Sequence, residues 1–191
     1  MSKAPDAAEN LLPKPQKVML MEATTADRGS TNVVWSGATD PRVKAYAARV
    51  LDPLPCGLVR IDVADIDSGR APQAVMDECY ELRVAAAQIL LTAKSTWGAL
   101  HGVSTLRQLM SAEQIPSDAH IVDRPRFAWR GCMLDVARHF VPLSQLFQLV
   151  DGLQLLKMNV LHLHLSDDQG FRFGCLALPK LPSDDHYTIE Q

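Results

Sequence analysis

Between residues 130 and 172 the apolar positions change their period twice. Residues 130–136 form a short apolar run of the kind that makes a buried strand. Pro142 then interrupts the chain, and Ser144 suits a helix N-cap. Leu146, Val150, Leu153 and Leu156 follow on one helical stripe. Lys157 suits the negative end of that helix, and Asn159 suits its C-terminal stop. Over residues 160–165 the period becomes two. Leu161, Leu163 and Leu165 share one face, and His162 and His164 share the other. Ser166, Asp167, Asp168, Gln169 and Gly170 come next. Strand, helix and strand in this order predict a right-handed βαβ unit with parallel strands. Polar groups just past a parallel strand lie where α/β folds place their sites.

The upstream pattern is different. Short apolar strands are expected at residues 18–21 and 32–35, with turn chemistry at Asp27, Arg28, Gly29 and Ser30 between them. Pro41 opens a helix running to about Leu51, with Val43, Ala47 and Val50 or Leu51 on its inner face. Asp52, Pro53, Pro55 and Gly57 end it. Residues 58–66 alternate as a half-buried strand does. A loop is expected at residues 68–74. Residues 79–85 and 88–93 read as a hairpin. An amphipathic helix is expected at residues 96–110, with Leu100, Val103, Leu106 and Leu109 or Met110 turned inward. A last strand at residues 121–123 precedes a boundary at Pro125. The sum is an α+β unit, a mainly antiparallel sheet backed by two helices, behind a loose arm at residues 1–15.

Composition narrows the class. The chain has 191 residues, 47% apolar and 21% charged, as a globular protein does. Its net charge of −3 offers no basic surface for nucleic acid. No apolar run approaches the ~20 residues that span a bilayer, so no membrane partner is expected. The opening MSKAPDAAENLLPKPQK lacks the apolar segment of an export signal. Cys56, Cys79, Cys132 and Cys175 are widely spaced and form no CxxC pair, so free thiols are expected, with Cys132 a small buried apolar residue. No cofactor and no metal is implied.

Two motifs carry a family resemblance. Arg-Gly-x-Met-Leu-Asp-Val-Ala-Arg-His-Phe begins at Arg130, and Lys-x-Asn-x-x-His-x-His-Leu-x-Asp-Asp-Gln-Gly-Phe-Arg begins at Lys157. Together they resemble the opening of the catalytic barrel in glycoside hydrolase family 20, the β-N-acetylhexosaminidases. Asp77-Glu78-x-Tyr-x-Leu and Gly98-x-x-His-Gly-x-x-Thr-Leu-Arg-Gln-Leu resemble the non-catalytic domain that precedes it. Asp123-Arg-Pro-Arg-Phe-x-Trp-Arg-Gly resembles the junction between the two. The likeness covers roughly residues 58–191. It implies an N-terminal domain at 16–124 and a truncated (β/α)8 TIM barrel beginning at 125–191. It also implies terminal N-acetylhexosamine glycans as substrate. Members are often periplasmic, secreted or lysosomal.

The resemblance assigns roles residue by residue. Arg138 matches the arginine that hydrogen-bonds the hydroxyls of the terminal sugar, a task suited to a rigid fork of donors. Asp167 matches an aspartate that shapes the pocket floor. Asp168 divides between function and capping. His162 and His164 are either second-line support of the sugar pocket or hydrogen-bonded core histidines. The family's reaction uses the substrate's acetamido oxygen as nucleophile, a glutamic acid as proton donor and an adjacent aspartate. That Asp-Glu pair is expected beyond Gln191, so catalytic residues within the chain are none. Asp77-Glu78, the sole Asp-Glu dipeptide, reads instead as a solvated approach to a strand.

Residues 126–191 suffice for two strands, one helix and the start of another helix at 187–191, whereas a whole barrel takes about 250 residues. An unclosed barrel leaves an edge strand and an apolar face, so a complementing fragment or an oligomer is expected. Two other readings compete. His162 and His164 resemble the paired histidines of a metal-dependent amidohydrolase barrel. A non-catalytic carbohydrate-binding module would use the first domain alone, but Trp35, Trp97 and Trp129 are scattered.

Overall fold

The computed structural model describes residues 10–20, 28–37, 40–64, 77–112, 116 and 118–191. The chain divides into two compact units, Met1–Ala128 with Leu155–Lys157, and Trp129–Gln154 with Met158–Gln191. The expected loop at 68–74, most of the arm at 1–15, and the ends of two expected strands (Met21, and 65–66) lie outside the described residues.

The first unit is a six-stranded sheet with two helices. Its elements are β1 Lys17–Leu20, β2 Asn32–Gly37, α1 Pro41–Leu51, β3 Leu58–Val63, β4 Tyr80–Val84, β5 Ile89–Ala93, α2 Thr96–Met110 and β6 Ala119–Asp123. The sheet runs β1-β6-β4-β5-β3-β2. β4 pairs antiparallel with β5 and β6, and β6 pairs antiparallel with β1. β3, however, pairs parallel with both β2 and β5. Three of the five pairings are antiparallel, in line with the expected mainly antiparallel sheet, but the sheet is mixed. The reason is α1: a helical crossover returns the chain to the starting edge, so β2 and β3 run the same way.

Alternation decides which sheet face is covered. Val59, Ile61, Val63, Tyr80, Leu82, Val84, Ile89, Leu91, Ala93, Ala119 and Ile121 are all buried. α2 lies on β3, β4 and β5 and packs against α1. Asp40 caps α1 by accepting from Arg42 N at 2.7 Å, and Pro41 takes the first position, where no N–H is needed. Ser95 caps α2 by accepting from Gly98 N at 3.1 Å. The span of α2 meets expectation, but its amphipathic character does not. Trp97, His101, Ser104 and Thr105 are buried as well as the apolar stripe. Small and hydroxyl residues let this helix be covered on several sides at once.

Lys157 belongs to this first unit and is buried. Its ammonium donates to Asp123 Oδ2 at 2.8 Å and Tyr80 Oη at 2.8 Å. Its backbone has φ 58°, the left-handed cap conformation, and Met158 N donates to Leu153 O at 2.9 Å across it. The helix therefore ends at Leu155 and is capped at Lys157, not at Asn159. Asn159 instead accepts from Arg130 N through its side chain at 2.9 Å.

The second unit holds β7 Gly131–Asp135, most of α3 Leu143–Leu155, β8 Val160–His164, and a small hairpin of β9 Ser166–Asp167 and β10 Gly170–Phe171. β7 and β8 are parallel, with Met133 level with His162 and Asp135 level with His164. Val136, Leu146 and Tyr187 are buried, and Leu134, Leu143, Leu149, Leu161, Leu163 and Leu165 pack on them.

Four expectations fail here. Ser144 lies inside the first helical turn, because the Pro142 carbonyl accepts the first bonds from Gln145 N and Leu146 N. Val150 and Leu156 are exposed, so the inner face is Leu143, Leu146 and Leu149. Cys132 is half-buried, although all four cysteines are free. Residues 187–191 form no helix. Tyr187 is drawn into the core, with its hydroxyl on Val141 O at 2.6 Å, and its backbone bridges Phe173.

Candidate functional site

The site sits in the second unit, at the end shared by two parallel strands. Asp135 is the last residue of β7 and His164 the last of β8. Val136 N donates to His164 O at 3.2 Å, which holds the two ends together. The chain turns immediately after β7. Asp135 Oδ1 accepts from Ala137 N and Arg138 N, each at 3.1 Å, which fixes that turn.

Arg138 is held from two sides. Its Nη1 donates to Asp135 Oδ2 at 2.7 Å and its Nη2 to Asp167 Oδ2 at 2.7 Å. The Arg138 side chain is still 56% exposed, so it is open to solvent. Asp167 Oδ2 is also 2.9 Å from His164 Nε2. An ionised carboxylate only accepts, so Nε2 carries the hydrogen in this contact. Asp168 N donates to Asp167 Oδ1 at 2.8 Å.

These contacts set the charges. The His164 bond, then the bonds from Asp168, hold Asp167 far below the usual carboxylate range. Backbone donation from Arg138 lowers Asp135 as well. The charges of Asp135 and then Asp167 raise Arg138.

A second arginine shapes the site from behind. Arg172 Nε donates to Val136 O at 3.1 Å, and its Nη2 donates to Ala137 O at 3.0 Å. Its Nη1 reaches Asp185 O at 2.9 Å. A Cβ on Gly170 would lie 2.7 Å from Arg172 Cζ and 2.9 Å from Ala137 O, so glycine is required there.

Of the residues singled out from sequence, Arg138, Asp167 and His164 meet in one cluster. Asp168 joins it through its backbone N–H. His162 is exposed, two residues back along β8, and is not among the groups bonded to Asp167. Asp135 and Arg172 were missed as contributors. An aspartate three residues before an arginine at a strand end was the available signal for Asp135. Nothing local marks Arg172, whose partners are carbonyls far away in sequence.

Asp77-Glu78 lies in the first unit. Asp77 accepts from Cys79 N at 2.9 Å, but Glu78 is buried, with His101 Nε2 at 2.9 Å. The expected solvated approach is therefore corrected for Glu78: it is paired inside the unit. Among the described residues no group of three or more His, Cys, Asp and Glu could hold a metal ion. No helix among them is long and apolar enough to cross a membrane.

Comparison with known proteins matches both units to one class, the sugar-cleaving hydrolases. The family model described as glycosyl hydrolase family 20, domain 2, matches residues 8–124, more than half of the chain. The model of that family's catalytic domain matches residues 127–191. The beta-hexosaminidase subunit beta of Felis catus is 34% identical over 131 residues, which is 66% of this chain and 25% of that protein. The chitobiase of Flavobacterium johnsoniae superposes with a TM-score of 0.78 at 34% identity, covering 95% of this chain and 31% of that one. An exo beta-N-acetylglucosaminidase of Vibrio harveyi, solved in complex with N-acetylglucosamine, superposes with a TM-score of 0.70 at 28% identity over 91% of this chain and 28% of that one. The chain belongs to glycosyl hydrolase family 20, and by family it is a glycoside hydrolase. It spans about a quarter of the length of the curated relative.

Proposed function

We propose that these residues are the non-catalytic domain, at 16–124, and the opening of the (β/α)8 barrel, at 125–191, of a β-N-acetylhexosaminidase. The activity is removal of terminal non-reducing N-acetylhexosamine from glycans. The observation that carries this reading is the convergence of Arg138, Asp167 and His164 at the C-terminal end of two parallel strands. Barrel enzymes build their sites at that end. A partly exposed arginine held between two carboxylates suits neutral hydroxyl acceptors.

The reaction proposed is substrate-assisted. The 2-acetamido oxygen attacks the anomeric carbon, a glutamic acid protonates the leaving oxygen, and an aspartate stabilises the charge on the acetamido group. Arg138 and Asp167 would hold the sugar while this happens. The Asp-Glu pair is not among the residues of this site; the one such dipeptide, Asp77-Glu78, belongs to the first unit. The 191-residue chain alone therefore holds part of the sugar subsite and does not turn substrate over. Further barrel strands, on the same chain or supplied by a partner, would cover the edge of β8 and exposed residues such as Trp129 and Phe173.

The test is a nitrophenyl β-N-acetylglucosaminide assay together with a chitobiose titration. Expected are no nitrophenol release and weak binding centred on Arg138. Turnover clearly above blank would overturn the inactive reading. Binding confined to the first unit would favour a carbohydrate-binding module instead.

A further inference from the structure

The contact between Asp135 and Arg138 has a chemical consequence beyond the turn it makes. One carboxylate grips both ends of the same residue. Oδ1 takes the backbone N–H of Arg138 at 3.1 Å, and Oδ2 takes its guanidinium at 2.7 Å. Asp167 grips the guanidinium on its other nitrogen at 2.7 Å. Two negative charges thus face one positive charge.

An arginine left with a free positive charge is a good receptor for sulfate or phosphate, which it meets by paired donors. An arginine bracketed by two carboxylates is not. An incoming anion would be repelled by both aspartates at short range. The remaining N–H groups can still donate to a neutral hydroxyl.

We infer that Asp135 is a positioning and charge-cancelling residue that makes the Arg138 subsite selective for neutral hydroxylated sugars against sulfated or phosphorylated ones. The inference rests on the sugar-binding reading of the same cluster and deepens it. Asp135 acts through Arg138 and need not touch the ligand. The same geometry accounts for its two separate sets of bonds. The backbone set places the residue, and the side-chain set fixes the plane and charge of the guanidinium.

The experiment follows the Arg138 side-chain Nε–H resonance in the whole 191-residue chain, native and Asp135→Asn, during titration with N-acetylglucosamine and with inorganic sulfate. The native chain should show a slowly rotating guanidinium and no response to sulfate. Asp135→Asn keeps the size of the side chain but removes its charge. It should bind sulfate at least about tenfold more tightly than the native chain. Equal sulfate response in the two chains would overturn the inference. A freely rotating Arg138 in the native chain would also overturn it, and that measurement needs no variant to fold. If neither chain responds to N-acetylglucosamine but only Asp135→Asn takes sulfate, the charge-cancelling role stands and the sugar reading fails.

Discussion

The Lys157 ammonium lies 2.8 Å from Asp123 Oδ2, with both side chains less than a tenth exposed. Tyr80 Oη completes the group, donating to the same Asp123 oxygen at 2.9 Å and lying 2.6 Å from Thr105 Oγ1. Gln16 N and Arg124 N also bond Asp123. A buried charge so placed is costly once its partner is removed. Lys157→Met should destabilise the first unit by about 3–5 kcal/mol, because Asp123 is left buried and uncompensated. Lys157→Met combined with Asp123→Asn should recover part of that loss. Urea unfolding measures both. A single-variant loss below about 1 kcal/mol, the usual worth of a surface pair, would show that the group is open to water.

Two helical glycines should respond in opposite ways to alanine. A Cβ on Gly98 of α2 would overlap the Cys79 carbonyl and stand 3.3 Å from Ala93 Cβ. That carbonyl belongs to the backbone beside β4 and cannot swing away. Gly98→Ala should cost about 1–3 kcal/mol despite the better helix propensity of alanine. Gly152 of α3 is exposed, with nothing within 4 Å of its built Cβ. Gly152→Ala should stabilise by about 1 kcal/mol. Thermal unfolding of each variant decides the matter, and a gain in both would refute the close packing of α2.

Acid should release the Arg138 bracket only below the ordinary carboxylate range. Asp167 and Asp135 both have lowered folded values, Asp167 chiefly through His164 and Asp135 chiefly through the Arg138 backbone. A depressed carboxylate stabilises the fold fully above its unfolded value of about 3.9. That contribution disappears as pH falls through the lower folded value. Carbon-detected NMR titration should therefore place both midpoints under about 3.9. A midpoint at or above it for Asp167 would contradict the hydrogen bonds drawn to it.

Exchange of backbone amides should differ sharply between strands. β4 lies between β6 and β5, and β5 between β4 and β3. β8 is bonded to β7 alone among the described strands. The amides of Val160–His164 should exchange at least about tenfold faster than those of Tyr80–Val84 and Ile89–Ala93. Equal protection would mean that the edge of β8 is covered in solution.

The outcome also shows which physical signals survive in a linear chain. The period of two in Leu58–Val63 and the short turn between Tyr80–Val84 and Ile89–Ala93 mark strands, and each is found with one covered face. The span of α2 was legible from the spacing of Leu100, Val103, Leu106 and Leu109, although Gly98 and Gly102 lie within it. α3 was legible as a helix, but its buried face was not. Val150 continues the apolar stripe from Leu146 yet stands exposed, because a single helix covering only two strands leaves part of its surface unopposed. Tyr187 misled for a related reason. Its core partner Phe140 and its acceptor Val141 lie more than forty residues away, so no local pattern announces that it is held extended.

Local chemistry written in the sequence therefore determined most of the elements, since periodicity depends on neighbours a few positions apart, and Arg138 and Asp167 were legible through the motifs that contain them. Tertiary structure alone decided that β3 runs parallel to its two partners and that Glu78 is buried against His101. It also decided that Arg172 holds the loop bearing Arg138. Those outcomes depend on contacts between segments distant along the chain, and such contacts leave no periodic trace in it.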